Sequence, residues 1–274
     1  MRACFFGDIH GNSHALEAFL LRLPEWKADA VYCLGDIVGW LPFGNRTLQR
    51  VRALGFPTVA GNHDLLVSGL FRDHPGQADR MQATAYNAGL LSGMEGAADY
   101  LSNLPLILEE KDFIVVHHSP FALPAPGEAP TIQCFDYLDE TALRGSLEAW
   151  RSCPKRLIFS GHDHVPAIYE LSYSRGTPRF GEVRAFRPAG MEPLTVKISS
   201  GRRYWVKAGS IGGPYRDGCP CANAVLYDED AQTLTLLRIP FPRGELHREL
   251  SANRLFGTIP TIRKYLELLE KGPC

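Results

Sequence analysis

The sequence predicts an α/β protein with two β-sheets, a largely parallel one from the first part of the chain and a more antiparallel one packed on it. Two observations carry that prediction. Through RLIFSGHDH at residues 156–164, apolar strand-like runs alternate with stretches of helical rhythm, which argues for βαβ units. Beyond that point come short strands separated by turn signals. No Ser/Gly-rich linker divides the halves, so residues 1–274 are expected to form one domain.

In order, ACFF (3–6) is a strand and HALEAFLLRL (14–23) a helix, since its apolar positions recur at helical spacing. VYCLGD (31–36) and NRTLQRVRAL (45–54) repeat the pair. PTVAGNHD (57–64) reads as a third strand end. YNAGLLSGMEGAADYLSNL (86–104) reads as a helix, FIVVHHSP (113–120) as a strand, and a helix is expected near LDETALRGSLEAW (138–150). The Pro-rich FALPAPGEAP and the helix after it, near 121–150, are expected to be a substrate-shaping insert that roofs the site. VPAIYELSY, FGEVRAF, PLTVKIS, RRYWVKAGS, NAVLYDED and TLTLLRIP follow as strands. TIRKYLELLEKG reads as a closing surface helix.

With 29 basic and 30 acidic residues, the net charge of −1 gives no bulk attraction to nucleic acid or anionic membrane. With a strand expected from residue 3, no signal peptide is expected, and no apolar run approaches the ~20 residues that span a bilayer. Seven cysteines in unlike contexts suit reduced thiols and a cytoplasmic location, with Cys4 and Cys33 in the core. Cys219 and Cys221 form a tighter pair without a second pair beside it.

Five apolar runs end in residues of metal-ligand type: Asp8 and His10; Asp36; Asn62, His63 and Asp64; His117 and His118; His162, Asp163 and His164. Each alone is ordinary, since Gly-Asp is a common turn and a lone His more often packs or caps. Together they hold six of the nine histidines. Ligands of α/β sheets gather at the carboxyl ends of the strands, so the fold would bring all five together. His14, His74 and His247 lie outside the pattern and are expected at the surface or in packing. These ligands are too many for one ion and suit two ions sharing a carboxylate. Mixed nitrogen and oxygen donors favour manganese first, then iron, nickel, cobalt or zinc, over magnesium or calcium. Two such ions ~3.5–4 Å apart clamp a phosphoryl group for in-line displacement and acidify a water between them.

GDIHGN, GDIVG, GNHD, VVHHSP, GHDH and KAGSIGGP, in that order, resemble the motifs of the calcineurin-like metallophosphoesterase family. Within it the chain is similar to the small bacterial and archaeal phosphodiesterases of diadenosine-tetraphosphatase-like type, over most of residues 1–230. The resemblance implies a four-layer α/β/β/α sandwich, with two mixed β-sheets flanked by helices. It implies one metal on Asp8, His10 and His164, a second on Asn62, His117 and His162, and Asp36 bridging them. His63 would protonate the leaving oxygen, and Asp64 would orient His63. The implied activity is dinuclear-metal-dependent hydrolysis of a phosphoester, a phosphodiester first, by a metal-bridging hydroxide. A phosphomonoesterase or protein phosphatase of the same fold, or a non-catalytic metal-binding scaffold, is the alternative.

Four departures from the family pattern bear on substrate. His118 stands where a Gly is usual and competes with His117, which register favours. Lys207-Ala208 and Trp40-Leu41-Pro42 replace Asn-Pro or Asn-Ala and Tyr-Gly-Pro, and a usual Arg near Cys221 is missing. Arg216, His118, Trp40 and Tyr215 are candidate substrate contacts, with Tyr86 beside them; Arg216 would meet charge on the phosphoryl oxygens. The expected partner is a small phosphorylated molecule, a nucleotide among the candidates; oligomeric state is not legible. Nucleotide-binding oxidoreductase is excluded by motif: no G-x-G-x-x-G follows the first strand.

Overall fold

The computed structural model describes residues 1–71, 78–125, 127–172 and 183–272. Expectations for His74, for Pro126 of the insert, for Tyr173 and for the first residues of FGEVRAF (180–182) lie outside them. The strands are β1 (Arg2–Phe6), β2 (Ala30–Cys33), β3 (Ile107–Glu109), β4 (Phe113–Val116), β5 (Leu157–Ser160), β6 (Ala167–Ser172), β7 (Val183–Phe186), β8 (Leu194–Lys197), β9 (Arg202–Lys207), β10 (Ala222–Asp228) and β11 (Thr233–Ile239). The helices are α1 (Ser13–Arg22), α2 (Gly44–Leu54), α3 (Asn62–Val67), α4 (Ala78–Leu91), α5 (Ala97–Ser102), α6 (Glu140–Gly145), α7 (Leu147–Ser152), α8 (Arg243–Ala252) and α9 (Pro260–Lys271). Among the described residues no helix is long and apolar enough to cross a membrane.

Two mixed sheets form, in the orders β2-β1-β10-β11-β8 and β3-β4-β5-β9-β6-β7. Among the described strands, β1–β2, β4–β5 and β5–β9 pair in parallel. This corrects the expected division into an early parallel and a late antiparallel sheet: each sheet takes strands from both parts of the chain. β10 pairs with β1 from Arg2↔Asp228 to Phe5↔Val225, and β9 completes the edge of β5. The expected strand at PTVA is reduced to one bridge, Cys33↔Thr58. The long helix expected over 86–104 is two, α4 and α5, parted at Gly96, whose φ of +64° is left-handed. β3, α3 and α8 had no strong pattern in the sequence.

Alternation along the strands builds four layers. Ala3 and Phe5 of β1 point between the sheets, with Phe113, Phe159, Val206, Val225 and Tyr227. There the Phe5 and Phe159 rings lie 3.6 Å apart and nearly parallel, and the Phe113 ring meets both edge-on. Cys4 and Phe6 point the other way, to a core shared with Leu16 and Phe19 of α1, Leu48 and Val51 of α2, and Ile262 and Tyr265 of α9. The outer face of the second sheet, with Ile158 and Trp205, buries Leu143 and Trp150 of α6 and α7. The cysteines at 4 and 33 are in the core as expected. α9 is more than a surface helix, because Ile262, Tyr265 and Leu269 are buried.

The turn after β2 is held by one side chain. Asp64 sits in the first turn of α3, and its carboxylate accepts the backbone N–H of Gly61 at 3.1 Å. It also accepts those of Asp36 (2.8 Å), Ile37 (2.9 Å) and Val38 (3.3 Å). A carboxylate shared among four buried donors fixes where α3 stands relative to β2. Burial and the neighbouring Asp36 charge push its pKa up to about 7, against the pull of those N–H groups. Asp64→Ala leaves the donors unpaired, so unfolding in urea should show a loss of about 3 kcal/mol. A loss below about 1 kcal/mol would mean that the 36–38 turn is held by other contacts.

Candidate metal centre

The ligand-type residues lie on loops that are zipped to one another before any side chain is considered. The Asp8, His10 and Gly11 amides donate to the carbonyls of Gly35, Asp36 and Ile37, joining the loops after β1 and β2. KAGSIGGP supports them from behind: the Ile211 and Gly212 amides donate to Gly7 and Asp8, and Ser210 Oγ donates to the Asp8 carbonyl. The Gly161 amide donates to His117 O, which ties the loops after β4 and β5. Two glycines let carboxylates pass close to backbone. A Cβ on Gly61 would lie 2.1 Å from Asp36 Oδ1, and one on Gly161 2.3 Å from Asp8 Oδ2.

Three clusters of ligand atoms result, each with all atoms within 4.8 Å of one another: Asp8, His10 and His164; His10, Asp36 and His63; Asp36, His117 and His162. All seven residues are buried. Asp36 and His10 each belong to two clusters. Asp36 Oδ1 accepts the His63 amide at 2.8 Å, while Oδ2 faces His117 Nε2 at 3.3 Å and His10 Nε2 at 3.5 Å. Asp8 takes the His162 amide and turns Oδ1 to His164 Nε2 at 3.2 Å.

Backbone carbonyls orient three of the rings. His117 Nδ1 donates to Leu34 O (2.6 Å), His162 Nε2 to Phe135 O (2.7 Å) and His164 Nδ1 to Pro214 O (3.0 Å). Each ring thereby turns its other nitrogen into the cluster, and that nitrogen offers a lone pair once the ring is neutral, which for His117 means losing the proton that Asp36 favours. His10 and His164 bring Nε2 to 3.0 Å of each other, and His117 Nε2 lies 3.2 Å from His162 Nδ1. Burial lowers His10 to about 4, partly offset by the Asp36 charge, and holds His162 well below the usual range. Burial would do the same to His117, but Asp36 overrides it and raises His117 to about 10. Burial would raise Asp36, yet His117, His63 and His10 around it hold it well below the carboxylate range.

This arrangement fits a pair of divalent cations. Converging imidazole lone pairs and two carboxylates make a borderline donor set suited to manganese, iron, nickel, cobalt or zinc. Buried polar atoms are also left over: His10 Nδ1, Asn62 Oδ1 and His63 Nδ1 have no hydrogen-bond partner. An unpartnered amide oxygen in a buried cleft is an available metal ligand. Asp8, His10 and His164 would hold one ion, His117, His162 and Asn62 the other, with Asp36 between.

The clusters open on a cleft of about 450 Å³. Of the expected substrate contacts, Trp40 and Arg216 line it. His118 and Tyr215 are not among its lining residues. His118 is buried against the Phe135 ring at 4.8 Å, and burial and the His117 charge lower it to about 3. Tyr215 is a core residue whose hydroxyl donates to Ile211 O, and Tyr86 packs on Phe256. His117, not His118, enters a ligand cluster. Asp64 does not orient the His63 ring, since its oxygens are taken by the backbone donors described above. His14 and His247 pair outside the site with Glu249 and Glu270.

Lining residues that had no signal in the sequence include Asp79 and Arg80 at the start of α4, Tyr137, and Lys264 of α9. The Tyr137 ring stacks on His162 at 4.8 Å and an interplanar angle of 20°. The segment carrying it is also tied down by Lys207, which stands where the family pattern has Asn. Its buried ammonium pairs with Asp163 and reaches Leu138 O at 3.5 Å.

Comparison with known proteins agrees with this geometry. The profile described as calcineurin-like phosphoesterase matches residues 1–178. An uncharacterized protein of Methanocaldococcus jannaschii, MJ0912, is 27% identical over 255 residues, covering 90% of this chain and 91% of its own. The crystal structure of a metallophosphoesterase from Sphaerobacter thermophilus superposes with a TM-score of 0.73 at 28% identity, covering 98% of this chain and 100% of that one. Taken with the two mixed sheets and their flanking helices, the profile match over residues 1–178 shows that the chain belongs to the calcineurin-like phosphoesterase family.

Proposed function

We propose that this protein is a phosphodiesterase that works with two divalent transition-metal ions, manganese foremost. One observation carries the reading. Two ligand clusters meet on the single carboxylate of Asp36, in a buried cleft where backbone carbonyls aim the imidazole lone pairs inward. When bound, two such ions supply Lewis acidity to phosphoryl oxygens and make a water nucleophilic at neutral pH.

The chain's own residues do the rest. Asp36 and the loops zipped to it set the spacing of the two ligand groups, so the ester is positioned for in-line attack. Asn62 presents its amide to the same space. His63 lines the cleft beside His10, with ring centroids 4.6 Å apart, and its Nδ1 is without a partner. With its backbone N–H donating to Asp36 Oδ1, His63 is placed to give a proton to the departing oxygen. Trp40 and Tyr137 line the same cleft, where they would shield a bound ester from bulk water.

With added manganese the protein should hydrolyse bis-p-nitrophenyl phosphate, and stripping the metal should abolish turnover. No hydrolysis with manganese, nickel, cobalt, iron or zinc would overturn the reading. Asp36→Asn and Gly61→Ala should lower bound metal in elemental analysis while melting curves still show a folded protein. Full metal content in both would mean that Asp36 does not join the ligand groups. His63→Ala should retain metal and lose about 10²- to 10⁴-fold in kcat on an ester with an alkoxide leaving group. Its loss on p-nitrophenyl esters should be much smaller, because that leaving group needs little protonation. Equal losses on both would remove His63 from the proton-donor role.

A further inference from the structure

A proton donor works only if its ring is aimed, and no side chain described so far aims His63. Resting on the phosphodiesterase reading, we propose that Asn87 is a positioning residue for His63 and acts through the backbone of Gly39. Asn87 fixes the turn at residues 39–41, and that turn is the wall against which the His63 imidazole stands.

His63 lies in the first turn of α3. Its amide donates to Asp36 Oδ1 at 2.8 Å, which fixes the backbone but leaves the ring free to turn about χ1. Asp64 is taken by backbone donors, and His63 Nδ1 is buried without a hydrogen-bond partner. Packing has to confine the ring instead. His10 meets it at a centroid distance of 4.6 Å and an interplanar angle of 76°. Gly39 stands on another side. A Cβ there would lie 2.6 Å from His63 Nδ1, 2.7 Å from its Cβ and 3.0 Å from its Cγ. No side chain fits between them, so bare backbone touches the imidazole. The φ of Gly39, +115°, is one that other residues rarely adopt.

Asn87 of α4 clamps that backbone. Its amide nitrogen donates to Gly39 O at 3.3 Å and to Leu41 O at 3.1 Å, on either side of Trp40. It also donates to Ala83 O at 2.9 Å, one turn back in its own helix, which fixes the side chain. The first half of the same loop is held separately, by Asp64 on the amides of residues 36–38 and by Thr47 Oγ1 on Ile37 O at 2.9 Å. Asn87 therefore acts on the half that touches the ring. Asn87 is fully buried, and its Oδ1 has no hydrogen-bond partner. That oxygen sits against Gly44, where a Cβ would come within 2.2 Å of it. A buried amide with its oxygen unpaired packs at a cost that an apolar side chain would avoid. Helix packing thus does not account for Asn87, whereas the two carbonyls of the turn do.

The test compares bis-p-nitrophenyl phosphate with thymidylyl-(3′→5′)-thymidine, whose leaving group is an alkoxide, on the manganese-loaded full chain. Asn87→Ala should keep the wild-type metal content and lower kcat on the alkoxide ester about 10- to 100-fold, the cost of a misplaced group. On the p-nitrophenyl ester the loss should stay below about threefold, because that leaving group needs little protonation. Trp40 rides on the same turn, but its displacement would act on both esters alike. In the His63→Ala background, Asn87→Ala should cost nothing further on the alkoxide ester, since the ring it acts through is gone. Gly39→Ala should repeat the Asn87→Ala pattern. Asn87→Leu, similar in shape and without the donors, serves if the alanine variant does not fold. A second readout needs neither metal nor turnover. In metal-stripped protein labelled with nitrogen-15 histidine, the His63 ring signals are identified by their loss in His63→Ala. They should shift or broaden in the Asn87 variant, while those of His14 and His247 stay in place. The proposal is overturned if a folded Asn87 variant shows no loss or equal losses on the two esters. It is equally overturned if the Asn87 and His63 losses multiply in the double variant, or if the His63 signals do not move. If His63→Ala itself loses equally on both esters, or no ester is hydrolysed with any metal, the underlying reading falls, and the histidine spectrum alone decides whether Asn87 sets the ring.

Discussion

Five residues held in a conformation that side chains avoid set the geometry of this protein. Among the described residues, seven other than glycine have positive φ, and Asp8, His10, Asp36, His162 and His164 are five of them. Each such residue costs roughly 1–2 kcal/mol relative to ordinary backbone. The reward is directional. A left-handed residue just past a strand reverses the chain at once, so its side chain returns across the end of the sheet. Such strain persists only where surrounding contacts over-determine it. Here these are the interloop amide bonds, the Asp64 carboxylate and the backbone of KAGSIGGP. Clustered strain of this kind is a mark of functional sites, where position matters more than local comfort.

Most of the site was legible because strand ends are simple objects. An apolar run ending in Gly-Asp, Gly-His or His-His reads as a buried strand with a polar tip, and β1, β2, β4 and β5 are where those runs fall. Sheet membership was not legible. Strand pairing depends on contacts between residues more than two hundred apart, and the period-2 pattern of β10 is equally at home in either sheet. GNHD was read as following a strand, whereas it opens α3; a six-residue helix contributes too few turns to show a periodicity. The role of Asp64 also escaped the sequence. A carboxylate that follows a histidine suggests a partner for that ring, but its backbone donors come from a turn twenty-eight residues away.

The cleft walls were the least legible part, for a physical reason. Ligand residues betray themselves by type, while Arg80, Tyr137 and Lys264 are common surface residues until the fold brings them to one opening. Tyr137 depends on a buried Lys207–Asp163 pair in the second sheet, and Lys264 on α9 packing Tyr265 into the first core. The chemistry and its surroundings thus come from different stretches of sequence. The ligand clusters belong to residues 8–164, and much of the wall to Arg216 and α9.

The pairing of β1 with β10 has a consequence for biosynthesis. Arg2 and its ion-pair partner Asp228 are separated by 226 residues. At ribosomal speeds of about 5–20 residues per second, β1 waits roughly 10 to 45 s for its neighbour. Throughout that interval the strand carrying Phe5 presents an open, apolar edge, an invitation to chaperones or to misassembly. The loop after β1 is therefore completed late in the life of each molecule, since Gly7 and Asp8 acquire their backing from residues 210–212 only after most of the polypeptide has left the ribosome.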